Sequence, residues 1–288
     1  IMFKLKNLRI TYPQAIALGY LLIILFGGLL LSLPVSSKDG TFTPYLDSVF
    51  TATSATCVTG LIVYDTYSHW TIFGQIVIIT LIQIGGIGFM TIVALFFLFL
   101  KRRIGLRERR LLMESANTMK IGGIVRLIKK VLIGTLIFEG IGTILLSVRF
   151  IPQMGFGEGL YNGVFHAVSA FCNAGFDIMG KYGKFSSLTT YSDDVIVNVT
   201  IASLIVIGGL GFIVWDDILK NGFHFRNYML HSKIALTATA ILIFGGALLF
   251  YLFERNHTFA DMGIKETVLA SFFQSVTPRT AGFNTVDQ

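Results

Sequence analysis

The sequence from Phe50 to Leu61 reads F-T-A-T-S-A-T-C-V-T-G-L, and its pattern occurs twice more. It returns as F-H-A-V-S-A-F-C-N-A-G-F at Phe165–Phe176 and as F-F-Q-S-V-T-P-R-T-A-G-F at Phe272–Phe283. In each copy a phenylalanine precedes a glycine by the same spacing, and these glycines are Gly60, Gly175 and Gly282. The repetition predicts similar structural units joined in tandem.

The composition is that of an integral membrane protein. Hydrophobic residues make up 53% of the chain and charged residues 14%, whereas soluble domains carry about 25% charged residues. Several uncharged runs reach the roughly 20 residues that a helix needs to cross about 30 Å of hydrocarbon. The first run ends at Leu33–Pro34 without a small-residue cleavage site, so we interpret it as a retained span and not as a signal peptide.

Five runs are predicted to span the membrane. They lie at about 12–33, 70–100, 127–150, 195–218 and 234–253. Ten basic residues fall in residues 101–130, and in this topology 16 of the 23 basic residues lie on the inner side. The positive-inside rule therefore predicts a cytoplasmic N-terminus and explains the basic segment without nucleic acid. Within that segment, Leu106–Met119 is a candidate surface helix.

A shorter helix is predicted between the two spans of each unit. The three candidates are Pro44–Ala55, Gly157–Phe171 and Lys265–Thr277. Thr43 is the expected cap of the first, with Pro44 at its first position. A helix of about 12 residues is only about 18 Å long, so it must enter the membrane and turn back among protein neighbours.

Such half-length helices favour a cation. A helix that enters from outside points its unpaired carbonyls and the negative end of its dipole at the membrane centre. The loop that follows can turn carbonyl oxygens inward and replace the water around an ion. Glycine serves where this backbone takes a conformation that other residues resist. We therefore interpret the three copies as re-entrant pore loops.

Three motifs carry a resemblance to a known family. T-C-V-T-G-L (Thr56–Leu61), C-N-A-G-F-D (Cys172–Asp177) and R-T-A-G-F-N (Arg279–Asn284) resemble the loops of the Trk/Ktr/HKT superfamily of potassium transporters, most closely the bacterial Ktr membrane, ion-translocating subunit. The resemblance covers the whole chain. It implies an all-α integral membrane fold in which span–pore helix–filter loop–span units surround a pseudo-fourfold pore.

The resemblance also implies a division into units. Residues 1–110 would form the first pore unit, 111–225 the second, and 226–288 part of a third. The rest of the third unit and a fourth unit are expected beyond the end of the chain. The third unit's second span, which carries a gating loop in the family, is then not in this sequence.

By the same resemblance, backbone carbonyls of the three loops bind K+, and the glycines are filter glycines. The implied ligands are Val58, Thr59, Gly60, Leu61, Asn173, Ala174, Gly175, Phe176, Thr280, Ala281, Gly282 and Phe283. The implied function is channel-like K+ uptake across the plasma membrane, without enzymatic activity. Sodium is the alternative ion, but sodium-selective members tend to carry serine where this chain has Gly60.

The implied partners are a second copy of the membrane subunit and a cytoplasmic ring of nucleotide-binding regulatory subunits, with nucleotide only on the ring. Residues 101–130 are a candidate contact with that ring. Contact of this segment with anionic lipid is an equally open interpretation.

Two charged residues near the loops need partners. Glu139 lies inside an apolar run, where acids are functional or paired. We expect it to pair with Arg279 or with a residue beyond Gln288. Arg279 stands where the other loops have cysteine, and we expect it to brace its loop from behind. Cys57 and Cys172 are predicted to be small buried thiols that form neither a disulfide nor a metal site.

A second motif, I-G-G-x-G-F, occurs at Ile84–Phe89 and Ile207–Phe212. Close packing of helices at small residues is the favoured interpretation, and a gating hinge is the alternative.

Two other functional classes fit the sequence less well. A membrane enzyme acting on lipid would need clustered acids or histidines on the inner halves of the spans, and the sequence shows none there. A secondary transporter with inverted repeats is disfavoured, because these repeats all enter from the same side.

Overall fold

The computed structural model describes residues 3–5, 8–88, 124–222, 224–260 and 262–286. Within these ranges the protein is almost entirely helical, which confirms the predicted all-α class. A short antiparallel hairpin, Phe3–Leu5 with Leu8–Ile10, precedes the first helix and was not predicted. The α-helices are α1 (Tyr12–Ser32), α2 (Tyr45–Cys57), α3 (Thr66–His69), α4 (Ile72–Ile87), α5 (Ile124–Met154), α6 (Phe156–Phe171), α7 (Val195–Gly209), α8 (Phe212–Asn221), α9 (Leu230–Glu254) and α10 (Ile264–Val276).

Three of the described helices, α1, α5 and α9, are long and apolar enough to cross a membrane. They coincide with the predicted spans at 12–33, 127–150 and 234–253. Helices α7 and α8 together satisfy the same test as one bent span, which would be a fourth.

The predicted span at 70–100 is described only in its first part. Helix α4 is apolar and runs from Ile72 to Ile87. Residues 89–123 lie outside the described residues, and with them the rest of this span, the candidate helix Leu106–Met119 and most of the basic segment 101–130.

The half-length helices are α2, α6 and α10, with 13, 16 and 13 residues. At a rise of about 1.5 Å per residue they are about 20–24 Å long, which is shorter than a span. Helix α2 begins one residue later than predicted, because Pro44 is its N-cap. The Thr43 hydroxyl, the predicted cap, is instead 3.1 Å from Nε2 of His69.

Each half-length helix packs against the span that precedes it, at a glycine. A methyl group placed on Gly28 of α1 would lie 2.6 Å from the Val49 side chain on α2. A methyl group on Gly163 of α6 would overlap the Ser147 hydroxyl on α5, and one on Gly246 of α9 would overlap the Ser275 hydroxyl on α10. Small residues at these contacts let the two backbones approach closely.

The predicted span at 195–218 is not one straight helix. Helices α7 and α8 meet at a bend of 94°. Gly211, the residue before α8, has φ +85 and ψ 151, which ends the helical path. Gly88 ends α4 with φ +87 at the equivalent position of the first I-G-G-x-G-F motif. The carbonyl of Ile207 accepts a hydrogen bond from the Trp215 indole at 3.0 Å, which holds α8 against the end of α7.

The loops on the predicted outer side contain structure that the sequence did not predict. Helix α3 is capped by Asp65, whose carboxylate accepts a hydrogen bond from the Ser68 amide at 3.3 Å. The loop between α6 and α7 reaches the third loop, where the Leu188 amide donates to the Asn284 carbonyl at 2.8 Å. The Leu188 contact links the segment before α7 to the third loop.

Candidate ion pathway

The three loop glycines lie next to one another. A methyl group on Gly60 would be 2.8 Å from the Ala174 carbonyl oxygen and 3.6 Å from Cα of Gly175. One on Gly175 would overlap the Ala281 carbonyl oxygen and lie 3.2 Å from Cα of Gly282. The loops therefore adjoin in the order first, second, third, although their glycines are far apart in sequence.

The loop glycines also share a backbone conformation. Gly60, Gly175 and Gly282 have φ of +77, +71 and +82, a region that side chains rarely adopt. Together with the close approach of neighbouring carbonyls, this explains why glycine stands at all three positions.

The first two loops leave their half-length helices in the same way. Val58 and Asn173 are both left-handed, with φ of 57 and 58. The next residue then donates its amide hydrogen back into the helix: Thr59 to Ser54 O at 2.9 Å, and Ala174 to Ser169 O at 2.8 Å. These bonds use helix-end carbonyls and fix the direction in which each loop departs.

The third loop leaves its helix differently. Helix α10 continues into a 3-10 turn at Thr277–Arg279, in which Pro278 has no amide hydrogen to donate. The Ala281 amide then donates to Thr277 O at 2.9 Å. The third glycine reaches the same neighbourhood by a different route.

Two of the predicted ion ligands already have a hydrogen-bond donor. The Ser169 hydroxyl donates to the Phe176 carbonyl at 2.6 Å, and the Thr277 hydroxyl donates to the Phe283 carbonyl at 2.6 Å. Both hydroxyls belong to the helix side of the loop, so these two carbonyls are held back toward the helix end. These hydrogen bonds favour the other ten carbonyls as ion ligands, and the full predicted set stays a prediction. Sequence reasoning missed Ser169 and Thr277, since a buried hydroxyl before a pore loop looks like ordinary packing.

The remaining predicted ligands stay together in the three loops. They are Val58, Thr59, Gly60 and Leu61 in the first, Asn173, Ala174 and Gly175 in the second, and Thr280, Ala281 and Gly282 in the third. The Asn173 side chain does not join the pathway: with its amide oriented to satisfy both contacts, it donates to Ile205 O at 3.0 Å and accepts from the Gly209 amide at 3.2 Å.

The glycine pair of each I-G-G-x-G-F motif packs against the loop ends. Methyl groups on Gly85 and Gly208 would overlap the carbonyl oxygens of Thr56 and Phe171, which lie at the C-terminal ends of α2 and α6. A methyl group on Gly86 would lie 2.5 Å from Sγ of Cys172 in the next unit. Gly85, Gly86 and Gly208 thus serve close packing, whereas a methyl group on Gly209 would make only ordinary contacts at 3.5 Å and beyond. The last glycine of each motif lies at the end of the helix.

Glu139 does not pair with Arg279 as expected. Its two carboxylate oxygens accept hydrogen bonds from Nε2 of Gln83 on α4, at 2.9 and 3.2 Å. Among the described residues, Nε of Arg279 is buried without a hydrogen-bond partner. No sequence pattern pointed to Gln83, because a lone glutamine in an apolar helix has many potential partners.

The two cysteines differ in exposure. Both are free thiols, and Cys172 is buried as predicted. Cys57 is exposed, which corrects the prediction for that residue. Cys172 is covered by Gly86 of the preceding unit, whereas no described residue occupies the corresponding place beside Cys57.

Acidic side chains lie just outside the second loop. Asp177 follows the loop and accepts a hydrogen bond from the Met179 amide at 3.0 Å. The pKa of Asp177 is raised to about 6, mainly by burial and also by the nearby Asp65 carboxylate, while the hydrogen bond from Met179 opposes this rise. A methyl group on Gly180 would overlap the Asp65 carboxylate, so the two segments are in contact.

A comparison with protein families decides which family this arrangement represents. The TrkH family, described as "Cation transport protein", matches residues 28–288. The chain belongs to the TrkH family. Its predicted membership in the wider group of potassium transporters is thereby confirmed.

Two curated relatives are potassium uptake proteins by name. The chain is 45% identical over its whole length to "Potassium/sodium uptake protein NtpJ" of Enterococcus hirae, of which the match covers 62%. It is 42% identical over 98% of its length to "Ktr system potassium uptake protein B" of Bacillus subtilis, again over 62% of that protein. The chain therefore spans about three fifths of the length of these relatives. None of these names describes an enzyme.

The fold is also similar to that of a solved TrkH-family transporter. The structure of the potassium transporter TrkH from Vibrio parahaemolyticus superimposes with a TM-score of 0.66 over 98% of this chain and 54% of the transporter. The sequences are 16% identical, so this likeness shows the fold alone.

Proposed function

We propose that this TrkH-family chain forms three of the pore loops of a potassium uptake pathway in the plasma membrane. The observation that carries the proposal is the convergence of three positive-φ glycines at the ends of three half-length helices. Helix ends supply a negative potential there, and the loop carbonyls supply oxygen ligands for a dehydrated cation.

The proposed ligands are the backbone carbonyls of the three loops without Phe176 and Phe283. Each loop then offers oxygens from the residues around its glycine, while the Ser169 and Thr277 hydroxyls hold the loops at their outer ends. Carbonyl ligands select ions by the spacing and field of the oxygens, so loop geometry sets the preference among alkali cations.

Sodium is the second candidate ion, because one relative is named a potassium/sodium uptake protein. Gly60 argues for potassium through the family resemblance. The two ions are distinguished by the same measurement, so both belong in the first experiment.

That experiment is uptake by the full-length protein in cells that lack their own potassium uptake. We expect growth at low external K+ and faster K+ than Na+ influx. Gly60→Ser is expected to lower the K+ to Na+ influx ratio, since a side chain would enter a contact only 2.8 Å from Ala174 O. Failure of the full-length protein to take up K+, with any partner present, would reject the proposal.

The proposed arrangement has units at 1–110, 111–225 and 226–288, with the remaining pore-forming segments beyond residue 288. The proposed orientation places the N-terminus in the cytoplasm, as the distribution of basic residues predicts. Thiol labelling of a Lys184→Cys variant from outside intact cells tests this orientation. Protection of that site from the reagent would contradict it.

The proposed partners are a second membrane subunit and a cytoplasmic ring of nucleotide-binding subunits. One relative is named as protein B of a Ktr system, which is the wording for one component among several. Residues 101–130 are the proposed contact with the ring. Neutral substitutions at Arg107, Arg109 and Arg110 are expected to reduce co-purification of the ring, and unchanged co-purification would remove this contact.

A further inference from the structure

A carboxyl group is buried in the membrane-spanning region behind the second loop. Glu139 on α5 is only 6% exposed. Its two oxygens lie 2.9 and 3.2 Å from the same nitrogen, Nε2 of Gln83 on α4. The acid therefore joins the second span of the first unit to the first span of the second unit.

The same glutamine contacts the start of the second loop. Oε1 of Gln83 accepts a hydrogen bond from Sγ of Cys172 at 3.6 Å, within the range for sulfur donors. Gly86, about one helical turn after Gln83, leaves room for this thiol. Cys172 ends helix α6 and directly precedes Asn173, the first residue of the loop. Glu139, Gln83 and Cys172 thus form an acid–amide–thiol chain.

This chain of contacts is specific to the second unit among the described residues. At the same distance before each loop glycine, the three units have Ile24, Glu139 and Gly246. The residue before each loop is Cys57, Cys172 or Arg279.

We propose that Glu139 is a positioning residue for the second loop. An amide can rotate by half a turn and exchange its donor and acceptor ends. Both Glu139 oxygens accept from Nε2 of Gln83, which holds the amide with its nitrogen toward Glu139 and its oxygen toward the Cys172 thiol. The Cys172 thiol then keeps Oε1 of Gln83 as its hydrogen-bond acceptor. This contact holds the C-terminal end of α6, from which the second loop starts. The inference rests on the proposed function, because its consequence is the selection of ions by this loop.

The test compares ion preference in the full-length protein reconstituted in liposomes. We expect Glu139→Leu and Gln83→Leu each to lower the K+ to Na+ flux ratio about fivefold, the factor that corresponds to one hydrogen bond. The double variant should lower the ratio no further than either single variant, since both break the same chain. Arg149→Gln on the same helix is the control: it breaks an ion pair with Asp194 and should leave the ratio unchanged.

Gentler variants keep the test decisive if the leucine variants do not fold. Cys172→Ala removes the last link and leaves the acid in place, and Glu139→Gln keeps the side-chain volume. Both should lower the ratio in the same direction. An unchanged ratio in both, or additive effects in the double variant, would overturn the inference. A protein that carries Na+ but no K+ would reject the proposed function instead, and the Na+ to Li+ ratio would then test Glu139.

Discussion

The second and third loops hold their glycines alike but begin differently. The second starts from a buried thiol and a left-handed Asn173, and the third from a 3-10 turn that includes Arg279. Both nevertheless return a hydroxyl from the helix end to the carbonyl after the glycine, Ser169 in one case and Thr277 in the other. The glycine and the returning hydroxyl are therefore common to the second and third loops, whereas the first residue of each loop differs.

The largest expected effect comes from adding a methyl group where two loops touch. Gly175→Ala would place that group onto the Ala281 carbonyl oxygen, in addition to the cost of a positive φ. Gly282→Ala has only the second cost, about 1–2 kcal/mol, because its nearest contact is 3.8 Å away. We expect Gly175→Ala to lower K+ uptake by more than about tenfold beyond the loss in Gly282→Ala.

Rubidium uptake by cells that express equal amounts of each full-length variant measures this difference. An equal loss of rubidium uptake in the two variants would show that further residues pack against Gly282 in the complete protein. No loss in Gly175→Ala would contradict the contact between the second and third loops.

The next effect concerns the hydroxyls that the two loops share. Ser169→Ala and Thr277→Val each leave a carbonyl of a buried phenylalanine without its donor, which costs about 1–3 kcal/mol. We expect both variants to melt at lower temperature and to take up K+ more slowly, by similar amounts. Thr277→Ser retains the hydroxyl and is the matched control. A large loss in one loop only would mean that the loops are not held in the same way.

A smaller loss of uptake and of thermal stability is expected for Gly208→Ala, where the I-G-G-x-G-F motif packs against the end of α6. Gly208→Ala would place a methyl group onto the Phe171 carbonyl oxygen, whereas Gly140, on the neighbouring span, has nothing within 4 Å. Gly140→Ala should therefore leave uptake unchanged and raise stability by up to about 1 kcal/mol, the difference in helix propensity. Thermal unfolding in detergent measures both, and equal behaviour would contradict the close packing of the motif.

Repetition made most of this fold predictable. The spacing from phenylalanine to glycine identified all three half-length helices, and the end of α6 at Phe171 agrees with the prediction. Hydropathy identified the spans but not the bend at Gly211, because residues 195–215 on both sides of it contain no charged residue. The glycines of the I-G-G-x-G-F motif were the signal there, but they fit close packing as well as a change of direction.

The candidate site was predictable only as far as the backbone repeats. The repeated motif predicted the glycines. The partner of Glu139 and the donors to the Phe176 and Phe283 carbonyls depend on side-chain contacts that the motif does not specify. Gln83 and Glu139 are 56 residues apart, and no local pattern links them. The repeated motif therefore predicted the loops that meet. Which of their carbonyl oxygens accept a hydrogen bond from a hydroxyl depends on packing.

The smallest expected effect is on stability and concerns the second residue after each loop glycine. This residue is Asp177 in the second loop and Asn284 in the third. Burial raises the pKa of Asp177 from 3.8 to about 6, so the folded protein binds this proton more tightly than the unfolded chain does. An ionised Asp177 therefore lowers stability at pH 7, and this penalty shrinks as the pH falls from about 6 toward 4. Asp177→Asn, which makes the second loop resemble the third, should raise the melting temperature at pH 7 to 8.

The advantage of Asp177→Asn should be largest at pH 7 to 8 and small near pH 4, where the folded wild-type side chain is protonated and the unfolded one is partly protonated. Melting temperatures at pH 4, 6 and 8 measure this trend, with Asp193→Asn on the same outer loop as the exposed control. The pH dependence should come from the second loop alone, because Asn284 of the third loop does not titrate. The backbone of Asn284 bonds to Leu188 and Ser187. A constant difference across this pH range would mean that Asp177 stays ionised beside Asp65, held by a cation or a donor at the mouth of the pathway.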